Sequence, residues 1–319
     1  ITSNMAIVDW KPIIQSAIDS AVARNITKVN IPYLEDGYVI KSPIIIREGV
    51  SLVSDSAPSY RRSNFPCTQI IPSSDFVGTA MFMLESHASI EGMVLYDASQ
   101  KYMLDTHTDE WIQNRPIGIQ LGYVGYNAFS GNNVNYGNRI SNVAFVGILK
   151  GIIQNSESIN VEALTVENVR GMPLEVGIQI HLTNDVIRFN GVHFNVNSYA
   201  ALYSGTVSNY FRKVATTCEV FRFGRVDEAV LCSCFAFGVK NLIHWYRDAY
   251  TGDSNSGGGV TLIGTSCDAC HVPFQVDRSG LNNFSVKVLG GVFVPIVKID
   301  GSEQCMLKFS GVAASNHFE

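Results

Sequence analysis

Residues 187–194, IRFNGVHF, place apolar side chains at Ile187 and Phe189, a small residue at Gly191, and apolar side chains again at Val192 and Phe194. Alternation of apolar and polar residues is the pattern of a half-buried strand, and the glycine marks a bend into a second short strand. The same pattern returns at Val50, Leu52 and Ser54; at Ile90, Gly92 and Leu95; at Ile140, Asn142 and Phe145; and at Ile159, Val161, Ala163 and Val166. It continues at Val230, Cys232, Cys234 and Phe237; at Val260, Leu262, Gly264 and Cys267; at Val286, Val288, Gly290 and Phe293; and at Leu307, Phe309, Gly311 and Ala314. The small-residue positions 54, 92, 142, 163, 191, 234, 264, 290 and 311 are separated by about 20 to 50 residues, the interval of solenoid coils that carry insertions.

A second ladder lies between these copies: Ile119 and Leu121, Ile152 and Ile153, Ile178 and Ile180, Leu242 and Ile243, Phe274 and Val276, Val297 and Ile299. Each coil therefore has at least two strands, and each strand stacks parallel on its equivalent in the next coil. The fold class read from this is all-β, a parallel β-helix forming one domain over 1–319, with coils over about 28–315. Near the start, Asp9 as N-cap and Pro12 in the first turn open an amphipathic run with Ile13, Ile14, Ile18, Ala21 and Val22 on one face. A helical cap over about 9–24 covers the strand edges that the end of a solenoid exposes. The stretch from Tyr96 to Gly137, with Trp111, Tyr123, Tyr126 and Tyr136, is read as an insertion loop on one face.

Composition narrows the function. Charged residues are 16% against a usual share of about 25%, and hydrophobic residues are 46%, so much of the chain is expected to be buried. A net charge of −5 gives no basic footprint for nucleic acid. No apolar run approaches the roughly 20 residues that span a bilayer, so membrane insertion is not expected. The chain opens on Ile1 without an initiator Met, which reads as a piece of a longer protein. Seven cysteines without the dense spacing of a disulfide scaffold favour reduced thiols.

The segment CDACH, 267–271, has the Cys-x-x-Cys-His spacing of c-type haem attachment. Aligned on Gly191 and Gly264, however, Cys267 takes the position of Phe194, Phe237 and Phe293, which points it inward. Cys232 and Cys234 likewise take the positions of Phe189 and Gly191. Haem attachment needs an exposed pair, and a zinc site needs further ligands that no second pair supplies. No cofactor and no metal are expected.

The helix leading into KVNIPYLEDGYVIKSPIIIREGVSLVSD, followed by TQIIPSS and the repeated strands, resembles the start of the pectate-lyase-like right-handed β-helices, and most of all the tailspike and tail-fibre depolymerases of bacteriophages. The resemblance covers nearly the whole chain. It implies that the parallel β-helix is right-handed. It also implies a homotrimer in a virion tail that acts at the bacterial surface, where it binds and cleaves capsular or O-antigen polysaccharide. The NTD, DD, HG and RIK series of polygalacturonases is absent, as is the acidic calcium cluster with following Arg of pectate lyases, so no catalytic residue transfers from them.

A sugar-binding surface must instead be sought among outward positions of the second ladder: Gln120, Gln154, Gln179, His181, His244, Tyr246, Gln275, Asp277, Lys298 and Asp300. Amides and carboxylates read sugar hydroxyls, and aromatic faces pack on pyranose rings. HWYRDAYTGDSNSGGG, 244–259, adds Trp245, Tyr246, Arg247, Asp248 and Tyr250 ahead of a Gly/Ser run. Hydrolysis of a glycosidic bond needs two carboxyl groups about 5 to 10 Å apart. Asp248 with Asp277 is the first choice and Glu175 or Asp185 the second, with Asp268 also a candidate. A lyase would use His181 or Tyr246 as base and Arg247 as cation. The competing class is a non-catalytic receptor-binding or structural shaft.

Overall fold

The computed structural model describes residues 8–54, 67–100, 111–123, 134–155, 160–200, 213–246, 258–276, 282–295, 307–309 and 315–318. Among the described residues every strand pairing is parallel, in sheets of 17, 9 and 2 strands. The chain winds as a right-handed β-helix, the hand that crossovers between parallel strands of one sheet adopt.

Each coil has three faces. The first holds Ser51–Ser54, Ser89–Glu91, Arg139–Ser141, Thr165–Glu167, Gly258–Ile263 and Asn282–Leu289 among others. The second is the 9-strand sheet from Tyr38–Ile40 to Phe293–Pro295. The third runs through Ile44–Ile46, Ala80–Leu84, Ile117–Leu121, Lys150–Gln154, Asn241–Trp245, Phe274–Val276 and Leu307–Phe309. In the middle coils the third and first faces fuse. Val176–Asn190 and Glu219–Cys232 are single strands of 15 and 14 residues that pair along their length, with one irregularity between Thr183 and Val186.

The periodicity of two is what builds the interior. Ile44, Phe82, Ile119, Ile152, Ile178, Phe221, Ile243 and Phe274 stack in register down the third face, all buried. Phe189 comes across from the first face to meet Phe221, with ring centroids 5.2 Å apart at 60°. Such an edge contact contributes about 1 kcal/mol beyond the area it buries.

The bends after the first-face strands from Ser89–Glu91 to Asn282–Leu289 form a column of left-handed residues: Gly92, Asn142, Asn168, Gly191, Ser233, Gly264 and Gly290. Positive φ favours Gly and Asn, and here it aims each N–H along the solenoid axis. Gly191 N donates to Cys232 O at 3.0 Å, and Ser233 N to Ile263 O at 2.8 Å. Two sequence-read frames shift. The bend after Thr165–Glu167 is Asn168, not Ala163. Ala163, with φ 51°, belongs to a different corner that stacks with His87 and Gly137 ahead of the first face. In the next-but-one coil the bend is Ser233, so Cys232 stacks on Asn190, and Leu231 takes the Phe189 position. Leu307–Phe309 pairs with Phe274–Val276 on the third face and does not continue the first.

The cap is the helix Lys11–Ala23, with Pro12 in its first turn. Ile14, Ile18 and Ala21 are buried, whereas Ile13 and Val22 are exposed, so the buried stripe is narrower than the sequence pattern implied. Trp10 occupies the N-cap position; Asp9, one residue earlier, accepts the N–H groups of Lys11 and Lys41. Gln15 completes the cover by pairing with the open edge of Ile44–Ile46. Its Oε1 accepts Ile45 N–H at 2.9 Å and its Nε2 donates to Ile45 O at 3.0 Å, replacing a neighbouring strand.

CDACH lies on the second face. Cys267 is buried between Ala236 and Phe293, which moves Phe237 one residue out of the expected column and onto Asp268. Cys270 is also buried, and burial pushes its thiol well above the usual range, so it keeps its proton. Ligation and haem attachment both need accessible thiolate chemistry. Among the described residues all six cysteines are free thiols.

Candidate functional site

The outward column of the third face reads Met83, Gln120, Ile153, Gln179, Arg222, His244 and Gln275, each in register with the next. Gln120, Gln179, His244 and Gln275, picked out from the sequence, therefore share one line with strand spacings of about 4.8 Å. Arg222 fills the gap between Gln179 and His244 and was not among the sequence candidates. Gln154 is not in this line. It pairs with Leu121 one position further on and folds its amide onto the backbone, accepting N–H from His181 and Leu182 and donating to Leu182 O.

Accessibility divides the line. Gln120, His244 and Gln275 expose only 7%, 5% and 8% of their surface and form a floor. Gln120 is held there by Thr79 Oγ1 and by its own bond to Gly122 O. Arg222, with 33% of its side chain exposed, and half-buried Gln179 are the part that a ligand meets.

Tyr246 and His181 sit in the next outward column, with Gly224 between them, since Ile180, Phe223 and Trp245 stack in register. Gly224 is needed there because a Cβ would come within 2.5 Å of His181 O. His181 is 2% exposed, so it is part of the packing and not placed as an accessible base. Tyr246 is half-buried; its ring lies 4.3 Å from the Arg222 guanidinium carbon, and its hydroxyl accepts Gln179 Nε2 at 3.2 Å. Trp245 corrects the sequence reading. His244 points out, so its neighbour on an alternating strand points in, and Trp245 is 1% exposed in the coil interior. It is core, not a sugar platform.

Beneath this surface lies a charged node that the sequence did not reveal. Glu219 opens the strand Glu219–Cys232 and is buried. Lys240 Nζ lies 2.6 Å from its Oε1, while His244 Nδ1 and Arg222 Nε lie 2.9 Å and 3.4 Å from its Oε2. Burial alone would raise the Glu219 carboxyl. The His244 hydrogen bond and charge, followed by those of Lys240, outweigh it and bring the pKa to about 2. Glu219 is thus a fixed anion that orients three basic groups, not a proton donor.

Of the remaining candidates, Arg247, Asp248 and Asp277 lie outside the described residues, as do Lys298, Asp300, Tyr126 and Tyr250. Glu175 is half-buried and accepts Gln113 Nε2 at 2.9 Å. Asp185 is exposed at the irregularity in Val176–Asn190. Asp185 lies ten residues beyond Glu175, past the irregularity and toward the first face, so the two stand at different places along the fused strand. Asp268 is half-buried on the second face, away from this surface.

The described parts of 96–137 are not a loop alone, since Ile117–Leu121 supplies a third-face strand. Of the rest, Val134–Tyr136 pairs with Asn160–Glu162 ahead of the first face, while Trp111 and Gln113 reach the corner beside Glu175. Trp111 is buried with its Nε1 3.5 Å from Thr217 Oγ1. Arg115 clamps the segment by donating to both Asp97 oxygens, at 2.7 and 2.9 Å, and to Pro72 O and Ser73 O.

No family model matches the chain, and no curated protein does. Solved structures do. The catalytic unit of a GH87 alpha-1,3-glucanase from Streptomyces thermodiastaticus aligns with a TM-score of 0.55 at 13% identity, over 95% of this chain and 47% of that one. Tailspike protein 2 from Escherichia coli O157:H7 bacteriophage CAB120 aligns with a TM-score of 0.51 at 10% identity, over 99% of this chain and 40% of the other. The enzymatically active domain of bacteriophage CBA120 tailspike protein 2 aligns at 0.50, with 10% identity, over 98% and 44%. The chain thus spans less than half the length of each of these three structures. Its fold is the right-handed parallel β-helix, similar to that of phage tailspikes and of the GH87 glucanase.

Proposed function

We propose that the chain binds a bacterial capsular or O-antigen polysaccharide along its third face and shortens it by hydrolysis of glycosidic bonds. The observation that carries the reading is the aligned column Gln179–Arg222–His244–Gln275 with Tyr246 beside it, a polar and aromatic track that runs along the solenoid axis as a sugar chain would. The likeness in fold to a glucanase and to phage tailspikes supports it. Asp248 and Asp277 are proposed as the carboxyl pair. Their support is that the strands leading to them, Asn241–Trp245 and Phe274–Val276, are hydrogen-bonded neighbours with Trp245 opposite Val276. A homotrimer in a virion tail, acting at the bacterial surface, is the assembly proposed for it.

The test is incubation of the full chain with a panel of capsular and O-antigen polysaccharides, following product size and absorbance near about 235 nm, where an elimination product would absorb. Shortening without new absorbance is expected, and Asp248→Asn and Asp277→Asn should each slow it by about 10²- to 10⁴-fold. New absorbance would replace hydrolysis by elimination, and binding without shortening would leave a receptor-binding shaft. Undiminished shortening by both variants would dismiss the carboxyl pair.

A further inference from the structure

We propose that Arg222 reads an anionic group of the ligand, so that the polysaccharide taken by the third face is an acidic one bearing carboxylates. The inference rests on the polysaccharide reading above and names its substrate class.

A guanidinium carries five N–H donors in a rigid planar fork. At Arg222 those donors are barely used. Among the described residues, Nη1 makes one long hydrogen bond to Gln179 Oε1 at 3.4 Å, and Nε lies 3.4 Å from Glu219 Oε2. The charge is not consumed by Glu219 either, since that carboxylate has its close contacts with Lys240 at 2.6 Å and His244 at 2.9 Å. Two permanent cations and an imidazole thus surround one carboxylate, which leaves a positive surplus shared by the partly exposed Arg222 and Lys240, and of these Arg222 is the one in the outward column of the third face. Among the described residues Glu175 is engaged with Gln113, and Asp227, further along the same strand, with Arg225 at 3.4 Å.

The fork is also held in place. Its stack on Tyr246 and the bond from Gln179 to the Tyr246 hydroxyl tie the three side chains together. Ordering a free arginine is one of the costs of binding, and here much of it is met before the ligand arrives. A planar carboxylate matches the fork with two parallel N–H···O bonds, whereas a neutral hydroxyl covers the cation without compensating it. The half-buried amide of Gln179, one strand away, can read a neighbouring hydroxyl.

The experiment uses the full chain and a panel of capsular polysaccharides, neutral and carboxylate-bearing, with binding measured by calorimetry. Each acidic polymer is also tested after carbodiimide–borohydride reduction, which neutralises every carboxylate, and after mild acid, which removes ketal-linked pyruvate, using polymers in which free pyruvate is the sole acid released. The wild type should bind an acidic polymer, with reduction weakening binding by about tenfold or more, the size of one lost charge-assisted pair. Loss on mild acid would assign the carboxylate to pyruvate, and loss on reduction alone to a sugar acid. In Arg222→Gln the ratio of native to reduced affinity should approach one. Arg222→Lys, which keeps the charge without the fork, should fall between, and it serves if the Gln variant fails to fold by far-ultraviolet circular dichroism. Equal binding of native and reduced polymers, binding of neutral polymers alone, or an unchanged ratio in a folded Arg222 variant would overturn the inference and leave the polysaccharide reading standing. Failure to bind any polymer would remove both.

Discussion

Replacing Glu219 by Gln tests the charged node and the physics assigned to it. The carboxyl sits at a pKa of about 2 against an ordinary 4.5, because the hydrogen bonds and charges of His244 and Lys240 outweigh the burial that pushes it up. A folded-state pKa below the unfolded one means that the ionised form stabilises the fold. The contribution is fully present above about pH 4.5 and is lost as the pH falls toward 2. The fall from 4.5 to about 2 corresponds to about 3 kcal/mol. Glu219→Gln cannot titrate, so it should be the less stable protein at pH 6, where it leaves Lys240 and Arg222 without their anion. The gap between the two proteins should then shrink by about 3 kcal/mol between pH 5 and pH 2. Urea unfolding followed by tryptophan fluorescence across that range reads this directly, since the buried Trp245 lies on His244's own strand, one coil step from the strand that Glu219 opens. A gap that stays constant with pH would show that Glu219 is not held ionised by its neighbours, and the account of the node would fail.

Two further substitutions probe the scaffold that carries the track. Trp245→Ala should cost about 3 to 5 kcal/mol and Trp245→Phe far less, because the ring fills the interior under His244; a cost below about 1 kcal/mol for Ala would return Trp245 to the surface. Asp97→Asn should cost about 3 to 5 kcal/mol by leaving the buried Arg115 guanidinium without its counter-charge, and limited proteolysis should then cut within 96–116 first. Intact protection there would mean that the clamp does not hold the insertion.

The coil repeat was legible because it depends on local alternation, and a strand that buries one side writes that side into every second residue. The third face was legible for the same reason: Gln120, Gln179, His244 and Gln275 fall into one column because each is the outward neighbour of an apolar inward residue. The failures are also local. A shift of one residue exchanges inside for outside, and at Gln154, Trp245 and Phe237 the sequence offered no second marker to fix the frame. Left-handed corners were assigned by looking for small residues, which found glycine but passed over Asn168 and Ser233, where a polar side chain tolerates the same φ.

Glu219 and Arg222 were missed for a different reason, which concerns what a β-helix does with distance. Gln179 meets Arg222 across 43 residues, and Lys240 meets Glu219 across 21. In a solenoid the sequence separation of stacked residues is one coil plus whatever insertion that coil carries. The coil between Val176–Asn190 and Glu219–Cys232 carries a long one, so no fixed spacing announces that Glu219, Arg222 and Gln179 are neighbours. Low overall charge makes the point sharper. In a chain with 16% charged residues, an acid and three basic groups converging at one buried strand end carry a desolvation cost that a solvated face would avoid. The apolar ladder explains the fold without that cluster. The cluster is best explained by the surface directly above it, where Arg222 and Lys240 are the partly exposed members and Tyr246 holds Arg222 in place.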